Sequence, residues 1–133
     1  MINKTYTIEI TEGTAKLTTS NKNISFNQND VGTSFIKFVC KKSDGTNENL
    51  TGLTARVCVK TPSLDADENP VVVAQDSNIT IDDVNGTIEV ELEQSLIDTV
   101  GTYTMQLQLL EGTDVYTYSP KITYTVNEVI TVG

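Results

Sequence analysis

Thr87-Ile88-Glu89-Val90-Glu91-Leu92 alternates apolar and acidic residues without a break. Successive side chains of a strand point to opposite faces of its sheet, so Ile88, Val90 and Leu92 face a core while Glu89 and Glu91 face water. Asn85-Gly86, just before it, is the dipeptide of a tight turn between strands. Working outward, Ser34 to Lys42 sets Ile36, Phe38 and Cys40 against Lys37, Val39 and Lys41, and Ser43-Asp44-Gly45 closes it with turn chemistry. Thr54 to Lys60 sends Ala55, Val57 and Val59 one way and Arg56, Cys58 and Lys60 the other. Shorter apolar runs stand at Tyr6 to Ile10, Ile24 to Phe26, Val71 to Val73 and Ile79 to Asp82. Near the end, Tyr103, Met105, Leu107 and Leu109 form one inward row, with Tyr116, Tyr118, Ile122, Tyr124 and Val126 on a return strand that would complete a long hairpin. Gln94 to Asp98 suits one helical turn.

Seven to nine short strands with almost no helix predict an all-β chain, an immunoglobulin-like two-sheet β-sandwich, with a closed barrel as the alternative. Thr, Ile and Val dominate, and their branched side chains favour a pleated surface. The 133 residues suit a single domain spanning 1–133, and no repeat or linker divides them. That length buries a core without help from metals or disulfides.

Eighteen acids against nine bases give a net charge of −9, unevenly spread. Residues 1–60 carry five acids and eight bases; residues 61–120 carry twelve acids and neither Lys nor Arg. Nucleic acid is excluded as a partner, because phosphate binding needs clustered bases. No run approaches the roughly 18 apolar residues of a membrane span. Met1 to Ile10 has no basic stretch leading into an apolar one, which argues against a secretory signal.

Catalytic equipment is missing. The chain has no His, which removes the commonest general base and the usual partner of a Ser or Cys nucleophile. No pair among the acids stands out as a hydrolytic dyad. Asp65-Ala66-Asp67-Glu68-Asn69 resembles a calcium loop faintly, but lacks the glycine and distant Glu of a helix–loop–helix site, and reads as an acidic hydrated loop. No metal or other cofactor is expected. Cys40 lies in phase with the core and Cys58 with Arg56 and Lys60, so their Cβ atoms point to opposite faces and cannot reach the roughly 4 Å a bridge needs. Free thiols fit assembly in a reducing cytoplasm. Five Asn-X-Ser/Thr triplets, at Asn3, Asn23, Asn49, Asn78 and Asn85, follow from a composition rich in Asn and Thr.

Ile24-Ser25-Phe26-Asn27-Gln28-Asn29-Asp30-Val31-Gly32-Thr33-Ser34, followed by alternating Ile36 and Phe38, resembles the N-terminal domain of phage baseplate upper proteins. Those domains open with a short strand ending in Phe, then an acidic turn of the form Gln-x-Asp-x-Gly-Thr-small. The likeness continues at Asn49-Leu50-Thr51, Gly86-Thr87-Ile88 and the leucine-bearing segment Glu93 to Gly101, and spans about residues 6–130. It implies an Ig-like structural component of the virion tail baseplate, assembled in the host cytoplasm, with no catalytic residues. The implied partners are other baseplate and tail proteins and further copies in a symmetric assembly. Receptor-binding proteins would be reached only through a stalk or linker found in longer relatives and absent before Gly133. The alternative is a bacterial surface or adhesion Ig-like module, which gene neighbourhood separates. A carbohydrate-binding sandwich needs exposed aromatic rings, whereas Tyr116, Tyr118 and Tyr124 fall in the inward phase.

Two expectations concern surfaces. Tyr6 to Ile10, terminal and apolar on one face, is the expected open sheet edge, making Tyr6, Ile8 and Ile10 the candidate interface residues. Ser34 to Lys42 and Thr87 to Leu92 are expected as antiparallel neighbours, with Lys37 and Lys41 facing Glu89 and Glu91.

Overall fold

The computed structural model describes residues 3–11, 14–18 and 23–130. Among the described residues the elements are β1 Lys4–Thr11, β2 Thr14–Leu17, β3 Ser25–Asn27, β4 Ser34–Lys41, β5 Thr54–Leu64, β6 Pro70–Gln75, β7 Ile79–Asp82, β8 Thr87–Glu91, a 3-10 turn Gln94–Leu96, β9 Gly101–Glu111, β10 Asp114–Thr117 and β11 Ile122–Asn127. They form two sheets, ordered β2-β1-β4-β8-β7 and β3-β11-β9-β5-β6, with β10 on β9. The two-sheet sandwich, most of its strands and the helical turn stand where the sequence predicts them.

The topology is immunoglobulin-like in its central strands. The antiparallel neighbours β4 and β8 occupy the places of strands B and E, and β5, β9 and β11 those of C, F and G. β1 stands where strand A would but runs parallel to β4. The corner before β9 carries a tyrosine-corner arrangement: the Tyr103 hydroxyl accepts the Thr99 N–H at 3.0 Å, a few residues upstream. The Tyr124 hydroxyl donates to the Leu96 carbonyl at 2.6 Å, pinning the same corner from β11.

One core cluster serves both sheets, drawing Ile36, Phe38, Ile88 and Val90 from the first and Val57, Val59, Met105 and Leu107 from the second. At one end it is aromatic. Tyr6 meets Phe26 edge-on with centroids 5.3 Å apart, Phe26 meets Tyr124 edge-on at 5.8 Å, and Tyr103 stacks on Tyr124 at 4.9 Å. The buried polar side chain of Gln75 is satisfied on both ends. Its amide donates to the carbonyls of Ser77 and Glu91, and its oxygen accepts the Glu93 N–H, so β6 of one sheet is tied to β8 of the other.

Glycine is required at two turns. Gly32, in the turn before β4, has φ +88°, a conformation that Cβ-bearing residues avoid, as its place after Asp30-Val31 predicts. Gly86 has φ +66°, and a Cβ there would stand 2.8 Å from the Glu48 carbonyl oxygen and 3.0 Å from that of Cys40. The close approach exists because the Cys40 N–H donates to the Gly86 oxygen at 2.7 Å, locking the β7–β8 turn onto the end of β4.

Three sequence expectations are corrected. The return strand after β9 is two strands, because Pro120 has no N–H and the Ser119 hydroxyl replaces a main-chain acceptor, taking the Leu107 N–H at 2.7 Å. The polar stretch after Ile10 contains β2, whose Ala15 and Leu17 keep the core phase opposite Ile10 and Ile8; residues 12–13 and 19–22 of that stretch lie outside the described residues. β1 is therefore no open edge. It is flanked by β2 and β4, and Tyr6, Ile8 and Ile10 are 2%, 2% and 0% exposed.

Candidate docking surface

Since Tyr6, Ile8 and Ile10 are core residues, their side chains offer nothing to a partner, and the ground for an interface there falls with the edge. The neighbouring outer face is of mixed charge. Lys16 of β2 stands opposite Glu9 of β1, and Lys37 of β4 opposite Glu89 of β8. The expected β4–β8 pairing is present, but its second charge pair is not: Glu91 lies opposite Phe35, while the Lys41 ammonium donates to the Asn47 side-chain oxygen at 2.7 Å.

Three of the acids in the turns, Asp44, Asp65 and Asp82, accept main-chain N–H groups. Asp65 accepts the N–H groups of Asp67 and Asn69, which folds the acidic loop between β5 and β6 as an Asx-type turn. The hydrogen bonds from Thr46 hold the Asp44 carboxyl below its ordinary range, and those from Asn85 do the same for Asp82. Among the described residues no three His, Cys, Asp or Glu side chains converge as a metal set would. Cys40 and Cys58 are free thiols, the first buried and the second half-buried, as their opposite phases require. Burial, reinforced by the charge of Glu48, pushes the Cys40 thiol up to about 12. Cys58 Sγ donates to the Gln108 side-chain oxygen on the outer face.

The end of the second sheet differs. β4 stops at Lys41, level with Tyr118, whose hydroxyl donates to the Lys41 carbonyl at 3.4 Å. Tyr116 lies one step further along β10, in register with the buried Leu109 of β9. Its ring, which the inward phase would bury, is instead 65% exposed. Val115 beside it is also exposed. Tyr116 meets Tyr118 edge-on with centroids 6.1 Å apart. Between these rings and Leu53 and Leu109 opens a groove of about 340 Å³, with Glu48 on its wall. It continues into a second hollow of about 280 Å³ beside Val115, bordered by Glu111 and Asp114. Among the described residues no Lys or Arg lines either hollow. Sequence reasoning missed this surface because phase says which face a side chain takes, not whether the opposite sheet extends far enough to cover it. The available signal was the mismatch between Ser34 to Lys42, which ends early, and a hairpin that runs on to Glu111-Gly112.

Residues 2–132 match the sequence model of the BppU N-terminal domain family. Among solved structures, the N-terminal domain of phage TP901-1 ORF48 is similar, with a TM-score of 0.60 and 18% identity over 92% of this chain and 97% of that one. At that identity the likeness is one of fold. No curated protein sequence matches the chain.

Proposed function

Because the chain belongs to the BppU N-terminal domain family, the N-terminal domains of phage baseplate upper proteins, we propose that it is the attachment module by which such a protein docks on the tail baseplate. Membership gives it a structural role in the phage baseplate and a place in the virion tail. The finer reading is that it works by protein–protein contact, without catalysis, as one of several copies in a symmetric assembly formed in the host cytoplasm. Its direct partners are other baseplate proteins, and any receptor-binding protein is reached through a further region. Residues 1–133 act as one docking unit, which the shared core cluster supports.

The observation that carries this reading is the family match over residues 2–132. The physical supports are a filled core and a partly uncovered sheet end. A stable contact takes roughly 800 Å² from each partner. That is about a tenth of the 7780 Å² this chain exposes, so one end of the sandwich suffices.

The test is removal of the gene from its phage. Tails should form without the distal baseplate parts, and the purified chain, supplied in trans, should return to them in stoichiometric amounts. Infectious virions that neither contain the chain nor need it would refute the reading.

A further inference from the structure

The groove under Tyr116 is open on its strand side as well. β10 pairs with β9 in the register Tyr116 opposite Leu109, and the next N–H in the same phase, that of Tyr118, donates to the Leu107 carbonyl at 2.8 Å. Alternation then directs the main-chain groups of Asp114 and Tyr116 toward β9 and those of Val115 and Thr117 away from the sheet. Among the described residues no strand lies on that side: β3, the outer strand of the same sheet, reaches only Thr125 to Asn127 of β11. An open edge is a template for one more strand. Here it has an exposed aromatic anchor at its centre, the residue type that dominates protein contacts once water is excluded. The charges beside it are of one sign, from Glu48, Glu111 and Asp114.

Resting on the baseplate reading, we infer that the β10 edge and the groove under Tyr116 receive an extended segment of a different tail protein, one carrying an apolar side chain flanked by Lys or Arg. The segment adds main-chain hydrogen bonds to Val115 and Thr117, seats its apolar side chain between Tyr116, Leu53 and Leu109, and sets its bases against the acids. A second copy meeting through the same surface is disfavoured, because it would bring Glu48, Glu111 and Asp114 onto the same three acids.

A photo-cross-linking residue placed at position 116 of the full chain, in tails assembled on the phage, tests this directly. Cross-links should map to a Lys- or Arg-bearing extended segment of one other tail protein, at least tenfold above those from the same probe at position 37. Tyr116→Ser should cut incorporation into tails at least tenfold and Tyr116→Phe less than twofold, with both variants melting as the parent does. Glu111→Lys combined with Asp114→Lys should also cut it. Tails that hold the chain but yield no cross-link from position 116, or yield links only to further copies or to an acidic segment, would overturn the inference and leave the baseplate reading standing. Absence of the unsubstituted chain from tails would instead refute the baseplate reading itself.

Discussion

Replacing Lys37 with Glu should destabilise the fold by about 0.4–2 kcal/mol. Lys37 stands directly opposite Glu89 on the outer face of the first sheet, both side chains half-buried. An opposite-charge pair in that position contributes roughly 0.2–1 kcal/mol, and a like-charge pair costs a similar amount, so reversal counts twice. Unfolding entropy of roughly 2.1 cal/mol/K per residue turns this into a fall of about 1–7 °C in Tm for a chain of this length. Glu89→Lys on the reversed background should recover most of the loss. Recovery stays incomplete because Lys37 also acts on Asp82, whose carboxyl is held low first by Asn85 and to a lesser degree by Lys37. A double-mutant cycle by urea denaturation should give a 37–89 coupling of roughly 0.8–4 kcal/mol, because each single reversal costs twice the pair and the double reversal restores it, and this coupling should weaken in high salt. The same cycle at Lys41 and Glu91 should give almost none, since neither faces the other. A 41–91 coupling equal to the 37–89 value, or no coupling at 37–89, would refute the register.

Cys58 should react with a thiol reagent in the folded chain, while buried Cys40, its ionisation pushed up to about 12, should react only after unfolding; mass mapping of labelled peptides distinguishes them. Gly86→Ala should cost more than about 1–2 kcal/mol in chemical denaturation, because the new Cβ meets main-chain oxygens at 2.8 and 3.0 Å in a left-handed conformation. Stability should fall at alkaline pH. Burial raises Cys40, Tyr103, Tyr118 and Tyr124 above ordinary values of 9.0 for the thiol and 10.0 for the phenols. The unfolded chain then loses those protons first, so stability is complete below about pH 9 and declines as pH rises beyond it. Denaturant midpoints that stay level from pH 8 to 11 would contradict that burial.

Most of the fold was legible because most strands are half-buried and obey period two. Ile36, Phe38 and Cys40, or Ile88, Val90 and Leu92, need no tertiary information to be assigned to the core. β2 was not legible, since Thr14 to Leu17 offers only Ala15 and Leu17 as apolar residues in phase. Its strand character comes from the partner it finds in β1, and missing it made β1 look like an edge. The turn glycine at position 32 follows from local chemistry and was readable, whereas the Asx turn at Asp65 was read only as a hydrated loop. The exposure of Tyr116 depends on the relative lengths of β4 and the β9–β10 hairpin, a property of two segments about 70 residues apart in sequence. Alternation cannot carry that.

The proposed role of this sandwich is that of a docking domain of the tail baseplate. A reconstruction of the intact tail tip by electron cryo-microscopy tests it most directly. The map should show a copy of the sandwich in each symmetry-related position, seated on another baseplate protein. A tail tip in which every sandwich-sized density is accounted for by other chains would contradict it.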